Sequence, residues 1–235
     1  MNVNDVENTY FRRFSHWKLI VIILTVVLTL TIILSLNVGF AQIPFTTVLS
    51  ILAKRVPFLG NLVDSSNVSY VEETIIIQIR MPRVLAGALV GAALAAAGVL
   101  YQGIFKNPMA DPYVLGVSAG AAVGASLAIV LGIGFTLLGV STVPISAFAG
   151  SLIAVFVVYN ISRVGSRVPI TTLLLSGIAV SIFLSAIVAV LQVIAGGKLH
   201  VIVFWLMGGF SYVEWKDVWA ILPLVCLGMV VIYFY

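Results

Sequence analysis

The sequence predicts an all-α membrane protein, a polytopic bundle of about six transmembrane helices. Two observations lead to this prediction. Hydrophobic residues make up 62% of the 235-residue chain and charged residues only 9%, with a mean hydropathy of +1.21, whereas about a quarter of the residues in soluble domains are charged. Residues 112–162 contain no charge at all, a run too long for one crossing of a hydrocarbon layer about 30 Å thick and suited to two. The composition therefore excludes an ordinary soluble domain.

Apolar runs and the polar breaks between them divide the chain into spans within a single transmembrane domain, residues 1–235. We predict spans at about residues 18–38, 82–103, 112–132, 142–162, 170–194 and 217–235. The first run is long for a signal-peptide core, so a retained helix is expected although residues 39–41 resemble a cleavage site. Residues 45–58 are predicted to form a short helix at the interface, and its Lys54 and Arg55 would reach towards lipid headgroups. A break near Gly139 separates the third span from the fourth.

The number of Lys and Arg residues on each side of the membrane does not determine the orientation of the chain. With a cytoplasmic N-terminus, alternation assigns six of the twelve Lys and Arg residues to each side of the membrane. The short, basic N-terminal tail and the absence of a cation excess in the longest loop favour that orientation. Because the basic residues are scattered among apolar runs, they form no basic face, and no nucleic-acid partner is expected. The expected partner of most of the surface is the lipid bilayer.

Small residues at helical spacing indicate where the helices pack against each other. In lipid no hydrophobic force drives helices together, so close backbone contact through small residues takes its place. The predicted packing positions are Gly87, Gly91, Gly116, Gly120 and Gly124. In the turn between the second and third spans, Asp111 is predicted to cap the next helix, and Pro112 suits the first helical position.

Three blocks of sequence resemble one family. They are RMPRVLAG with the following run to GVSAGA (residues 80–121), TTLLLSGIAVS (residues 171–181) and FWLMGGFSYVEWKDV (residues 204–218). The chain is similar in these blocks to the FecCD-type permease family of bacterial and archaeal ATP-binding-cassette (ABC) importers, which take up iron–siderophores, haem or cobalamin. The resemblance implies a BtuC-like helix bundle in the cell membrane, with no covalent chemistry and no cofactor in this chain. The family has about ten helices, so the chain is expected to be its N-terminal part, truncated inside or just after the sixth span.

The resemblance also implies partners. These are a second permease subunit, most simply in a homodimer, separate ATPase subunits that bind ATP and Mg, and an extracytoplasmic substrate-binding protein. Within the matching motif, Arg80 and Arg83 would receive acidic residues of the binding protein, because a guanidinium engages a carboxylate in a bidentate manner. The alternative is that both arginines, at the outer end of the second span, anchor that end to lipid phosphates.

A narrow stripe of small and polar residues lies along the fifth predicted span. Gly177, Ser181, Ser185, Val188 and Gln192 fall on one side of a helix with about 100° per residue. The stripe either faces a water-filled translocation pathway, because polar groups facing lipid are costly, or forms hydrogen bonds between helices. The resemblance favours the pathway.

A cytoplasmic gate is the third candidate site. The resemblance assigns Asn107 and Met109, in the turn after the second span, and Ile170 and Thr171, before the fifth, to a constriction of the pathway. The alternative for all four residues is ordinary capping and turn chemistry.

Other classes of function find little support in the residues. The chain has two histidines, His16 and His200, on opposite sides of the predicted topology, and one cysteine, Cys226, so no metal site is expected. Gly197 and Lys198 lack the remaining residues of a phosphate-binding loop. An ion-coupled transporter usually carries a charge within the membrane, and here the charges lie outside the predicted spans. A non-functional permease fragment remains the main alternative, and the substrate is not determined.

Overall fold

The computed structural model describes residues 3–56, 68–134, 136–137 and 140–234. Helices dominate, and the predicted all-α fold class is confirmed. The α-helices of the described residues are α1 Val3–Asn37, α2 Phe45–Arg55, α3 Tyr70–Thr74, α4 Met81–Phe105, α5 Val117–Leu131, α6 Thr142–Ile161, α7 Ile170–Ile194, α8 Leu199–Met207 and α9 Trp215–Phe234. A minimal antiparallel hairpin of β1 (Thr136–Leu137) and β2 (Val140–Ser141) joins α5 to α6. Gly139, near the predicted break, lies outside the described residues.

Among the described residues, five helices are long and apolar enough to cross a membrane, which makes this a multi-pass membrane protein. They are Trp17–Asn37, Tyr70–Phe105, Thr142–Ile161, Ile170–Ile194 and Trp215–Phe234. Their surfaces carry many exposed apolar side chains, such as Leu24, Ile153 and Phe183, each more than 60% exposed. Apolar patches of this extent suit a lipid environment and not water.

The helix at the predicted third span, residues 112–132, starts later and is shorter than predicted. Residues Pro112–Leu115 form a 3-10 turn, and Gly116 follows with a left-handed backbone at φ +77°. Because that conformation interrupts the hydrogen-bond ladder, α5 begins only at Val117 and has 15 residues. At 1.5 Å per residue it is about 22 Å long, less than the ~30 Å hydrocarbon layer.

The predicted start of the second span at residue 82 is also corrected. The helix begins at Tyr70 and continues through a π-helical segment, Ile75–Arg80, into α4. A capping box sets this start, since the Glu72 carboxylate accepts a hydrogen bond from the Ser69 N–H at 3.0 Å and the Ser69 hydroxyl accepts one from a backbone N–H of the first turn. Arg80 and Arg83 consequently lie inside a long helix and not at its end.

The described chain divides into two compact units, and their boundary falls inside α4. The first, Met1–Leu85, has its core where α2 meets the end of α1 and the π-helical segment. The fully buried side chains there are Leu36, Val48 and Ile76. The short helix predicted at residues 45–58 is observed as α2, and its place at the membrane interface stays a prediction; Phe58, its predicted end, lies outside the described residues. Arg55 pairs with Glu73 of α3 at 3.2 Å.

The second unit, Ala86–Tyr235, is built on α5, α6 and α7, which pack against one another, with α8 against the end of α5. Ile202 of α8 is completely buried and packs with Ile129 of α5. After α8 the chain bends at Gly208 and Gly209, both with positive φ. This bend separates the short helix α8 from the last span, α9.

Candidate functional site

The crossing of α5 and α6 is built on glycine. A Cβ on Gly120 would lie 2.5 Å from the carbonyl oxygen of Gly150 and 2.6 Å from the Ala154 side chain, and a Cβ on Gly124 would collide with the carbonyl of Ser146. A Cβ on Gly150 would in turn collide with the Gly120 carbonyl. The two backbones are therefore in direct contact, and the predicted packing role of Gly120 and Gly124 agrees with this geometry.

The other predicted packing glycines have different surroundings. Gly116 supplies the left-handed turn before α5, where its carbonyl accepts the Gly120 N–H at 2.9 Å. Gly87 faces the ring of Phe210, 3.7 Å from an added Cβ. Gly91 has no described atom within 4 Å of such a Cβ. Within the described residues the packing prediction thus does not apply to Gly91.

The predicted stripe on α7 divides into two parts. Its first part packs inside the second unit, since a Cβ on Gly177 would collide with the Val114 carbonyl and the Ser181 hydroxyl lies 3.3 Å from a Cβ built on Gly116. Gly177 is buried and Ser181 is half-buried. Gly177 is therefore a packing residue beside the 3-10 turn, and the prediction that it lines a pathway does not fit this close contact.

The second part of the stripe is more open. Ser185 is exposed and Gln192 is half-buried, while Val188 between them is only 8% exposed. The hydroxyls of Ser181 and Ser185 donate to carbonyls one turn earlier in the same helix, at 2.7 and 2.8 Å. These two serines do not bridge helices, so Ser185 and Gln192 remain the candidates for a polar pathway surface.

Arg80 is buried and hydrogen-bonded to backbone carbonyls. Its guanidinium donates hydrogen bonds to the carbonyls of Leu36 at 2.8 Å, Asn37 at 3.0 Å and Ala41 at 2.5 Å. These carbonyls belong to the end of α1 and the turn after it, where helical carbonyls lack partners within the helix and a cation is favourable. Arg80 is 7% exposed. The predicted docking role at the outer end of a span is corrected for this residue, because its donors are directed inwards.

Arg83 differs from Arg80. It is half-buried, and its Nε is buried without a hydrogen-bond partner in the part of the chain that the structure describes. A guanidinium has five donors in a fixed fork, and an unused buried donor is costly. The Nε itself is enclosed, so it offers no donor to a partner, and the docking prediction stays a prediction for this half-buried residue.

The four predicted gate residues lie at element ends. The Asn107 side chain accepts the Met109 N–H at 2.9 Å, which stabilises the turn after α4, and the Met109 side chain is 85% exposed. Ile170 and Thr171 open α7 and are exposed. The hydrogen bond of Asn107 is the kind of turn contact named as the alternative role, and the gating role stays a prediction for all four residues. Asp111 caps the following 3-10 turn by accepting the Tyr113 N–H at 2.7 Å, as predicted.

Two side-chain roles were not predicted. The Lys198 ammonium donates to the Val130 carbonyl at 2.9 Å and so caps the end of α5. Gly39 lies under the Arg80 guanidinium, where an added Cβ would come within 2.6 Å of Nη2. Both contacts join residues roughly 40 to 70 positions apart, and no local pattern in the sequence indicates either.

No catalytic or metal-binding group emerges from the described residues. Among them no three His, Cys, Asp or Glu side chains lie close enough together to hold a metal ion. Cys226 is exposed on α9 and belongs to no disulfide. In the part of the chain that the structure describes, the arrangement offers packing surfaces, capped helix ends and the half-buried guanidinium of Arg83.

The sequence profile of the FecCD transport family matches residues 27–235. Among curated proteins, the chain is 46% identical over 163 residues to the cobalamin import system permease protein BtuC of Halobacterium salinarum, covering 69% of this chain and 43% of the relative. It is 37% identical over 206 residues to the uncharacterised ABC transporter permease protein YvrB of Bacillus subtilis, covering 87% and 57%. It is 36% identical over 195 residues to the molybdate import system permease protein MolB of Haemophilus influenzae, covering 82% and 54%.

The fold is similar to that of a solved ABC transporter, assigned to the metal-chelate type and captured in an inward-facing conformation. The TM-score is 0.66 at 34% identity, over 88% of this chain and 59% of the solved chain. The chain thus spans about half the length of the curated relatives it matches.

Proposed function

Because the chain belongs to the FecCD transport family, we propose that it forms part of the membrane permease of an ABC importer. The match across residues 27–235 carries the proposal, and the likeness to a metal-chelate type transporter supports it. The mechanism is alternating access. ATP binding and hydrolysis in separate ATPase subunits change the packing of permease helices around a pathway, and no bond of the substrate is made or broken. The N-terminus is cytoplasmic in this proposal.

The proposed substrate class is a metal chelate, with cobalamin the first to test and iron–siderophores and haem the alternatives. The relative from Halobacterium salinarum is named for cobalamin import and supports that order. The relative named for molybdate import widens the set of substrates to be screened. A second permease subunit, an ATPase pair and an extracytoplasmic substrate-binding protein complete the proposed assembly.

Docking of the binding protein is proposed to use Arg83. Arg83 is only half-buried, so the accessible part of its side chain could pair with an incoming carboxylate in a partly desolvated setting, while its enclosed Nε takes no part in that contact. Arg80 acts indirectly by fixing the turn after α1 through its three carbonyl contacts. In this division of roles one arginine positions and the other binds.

The substitution Arg83→Glu tests docking and the proposed function together. We expect at least about a thirtyfold loss of affinity for the binding protein of the same organism, since breaking a buried charge pair at an interface costs roughly 2–5 kcal/mol. The measurement is binding of the purified binding protein to the chain in nanodiscs, followed by biolayer interferometry. Lys106→Glu is the matched control, because it makes the same charge change at the other end of α4. Equal loss in both variants, or no loss in either, would contradict docking at Arg83.

The pathway is proposed to run along the open part of the α7 stripe, at Ser185 and Gln192. Cysteines placed there in a Cys226→Ser background are expected to react with a membrane-impermeant, water-soluble thiol reagent. A cysteine at Ile182, on the same helix but facing lipid in this proposal, is expected to react at least about tenfold more slowly, since a thiolate is disfavoured in an apolar environment. The measurement is the rate of labelling by mass spectrometry in intact vesicles. Similar rates at all three positions would rule out a polar stripe.

A further inference from the structure

An apolar groove of about 1000 Å³ runs along the second unit, between α5, α6 and α7. Small residues form its floor, among them Gly120, Gly150 and Ser176, and the groove extends along α6 from Ser146 to Ile161. The rise of 1.5 Å per residue makes that stretch about 22 Å long. The proposed transport pathway does not use this groove.

The rims of the groove are large apolar side chains that stand exposed. Leu131, Ile153, Leu175 and Phe183 line it and are each between 63% and 68% exposed. The groove is therefore open at the side, towards the surroundings of the membrane-spanning helices α6 and α7. Since one leaflet contributes about half of a hydrocarbon layer roughly 30 Å thick, the groove is long enough to hold an acyl chain through its whole depth.

Two arginines stand at one end of the groove. The lining ends at Ile161, and the chain then makes a tight turn in which the Val164 N–H donates to the Arg167 carbonyl at 2.9 Å. Arg163 and Arg167 flank this turn, and both are exposed. Neither arginine takes part in an ion pair with another described residue. An apolar groove that ends at two free guanidinium groups is complementary to a molecule with a long hydrocarbon chain and an anionic head.

We propose that the groove binds one anionic phospholipid of the bilayer. An acyl chain lies on the glycine floor between α6 and α7, and the phosphate is held by Arg163 and Arg167, whose planar forks suit phosphate oxygens. A bound chain would fill the space beside the α5–α6 crossing and so stabilise the three-helix packing. The proposal rests on the membrane-spanning helices and the geometry of the groove, and it is independent of which substrate the protein transports.

Native mass spectrometry of the full chain tests the proposal. The chain is released from nanodiscs that contain phosphatidylglycerol and phosphatidylcholine in equal amounts, and retained lipids and chain stoichiometry are read from the same spectra. We expect one retained lipid per chain, mostly phosphatidylglycerol. Ala179→Phe fills the groove from α7 and is expected to reduce lipid retention about tenfold. Overpacking of the site weakens binding, and a loss of about 1.4 kcal/mol in binding free energy is a tenfold loss of affinity. Ala186→Phe is the matched control, because Ala186 is also exposed on α7 but does not line the groove.

The head-group contact has its own variant. Arg163→Gln with Arg167→Gln is expected to reduce the preference for phosphatidylglycerol by about fivefold for each arginine, while Lys106→Gln leaves it unchanged. Ala149→Phe, on the α6 wall, replaces Ala179→Phe if the latter does not fold. Equal retention in the groove-filling variants and Ala186→Phe would overturn the proposal. So would a change of chain stoichiometry without a change in lipid, because a second copy would then be the occupant, or equal retention of both lipids by the unmodified chain.

Discussion

Replacement of Gly124 by alanine is expected to lower the free energy of unfolding by about 2 kcal/mol, within the 1–3 kcal/mol typical of overpacking. A single added methyl group at this position would collide with the Ser146 carbonyl of α6, and it would also crowd the Ala147 backbone. A flexible side chain could move aside, but here the obstacle is backbone. The helices must therefore separate, which also weakens the neighbouring contact between Gly120 and Gly150. In lipid the hydrophobic effect does not hold the two helices together, because lipid tails cover the exposed apolar surface equally well.

Gly91→Ala is the matched control for this experiment. Gly91 lies inside α4 and has no described atom within 4 Å of an added Cβ. There alanine is expected to be neutral or to stabilise by up to about 1 kcal/mol, because glycine is a poor helix former. The measurement is the unfolding midpoint of the chain in mixed micelles as the denaturing detergent increases. If Gly124→Ala and Gly91→Ala shift the midpoint equally, the α5–α6 contact is not what stabilises the unit.

The same pair of glycines shows how far the sequence alone leads. Spacing along a helix predicted a packing surface at Gly120 and Gly124, because the period of a helix fixes which residues share a face. Spacing does not show whether another helix covers that face, and so it predicted the same packing role for Gly91. Gly116 continued the spacing but lies outside α5, in the left-handed turn that follows a 3-10 segment packed against α7. Periodicity identifies faces, whereas tertiary contacts decide which of them are used.

Proline explains the misplaced start of the second span. The predicted second span began at residue 82, which is a proline, and proline is favoured at the first position of a helix. The structure has it inside the helix, directly after the π-helical segment Ile75–Arg80, in which the Met81 N–H donates to the Ile76 carbonyl five residues earlier. A π-helical turn shifts the register of the hydrogen-bond ladder, and the ladder then continues past the proline. Sequence rules for helix ends do not include this adjustment, and Arg80 and Arg83 therefore lie inside the helix instead of at its start.

Arg80→Gln is expected to lower the free energy of unfolding by roughly 3 kcal/mol or more. Hydrogen bonds to a charged group contribute about 1.5–3 kcal/mol each, and their loss is only partly offset by the new side chain. Three carbonyls at the end of α1 and the turn after it, those of Leu36, Asn37 and Ala41, would lose a buried donor. Arg80→Lys keeps the charge but not the planar fork, so it is expected to recover only part of the loss. The measurement is again the unfolding midpoint in mixed micelles.

Arg83→Gln separates the two arginines of the motif. It removes a half-buried guanidinium whose Nε makes no hydrogen bond with the described residues, so the expected change in unfolding free energy is below about 1 kcal/mol. The effects on affinity for the binding protein are expected in the opposite order. Substitution of Arg83 is expected to weaken binding strongly, whereas Arg80→Lys is expected to weaken it only slightly. If Arg80→Gln leaves the unfolding midpoint unchanged while Arg83→Gln lowers it, the assignment is reversed. The expected contrast follows from the structure, because the Arg80 guanidinium is hydrogen-bonded to the end of α1 and the turn after it, whereas Arg83 is half-buried and is the residue proposed to meet a partner.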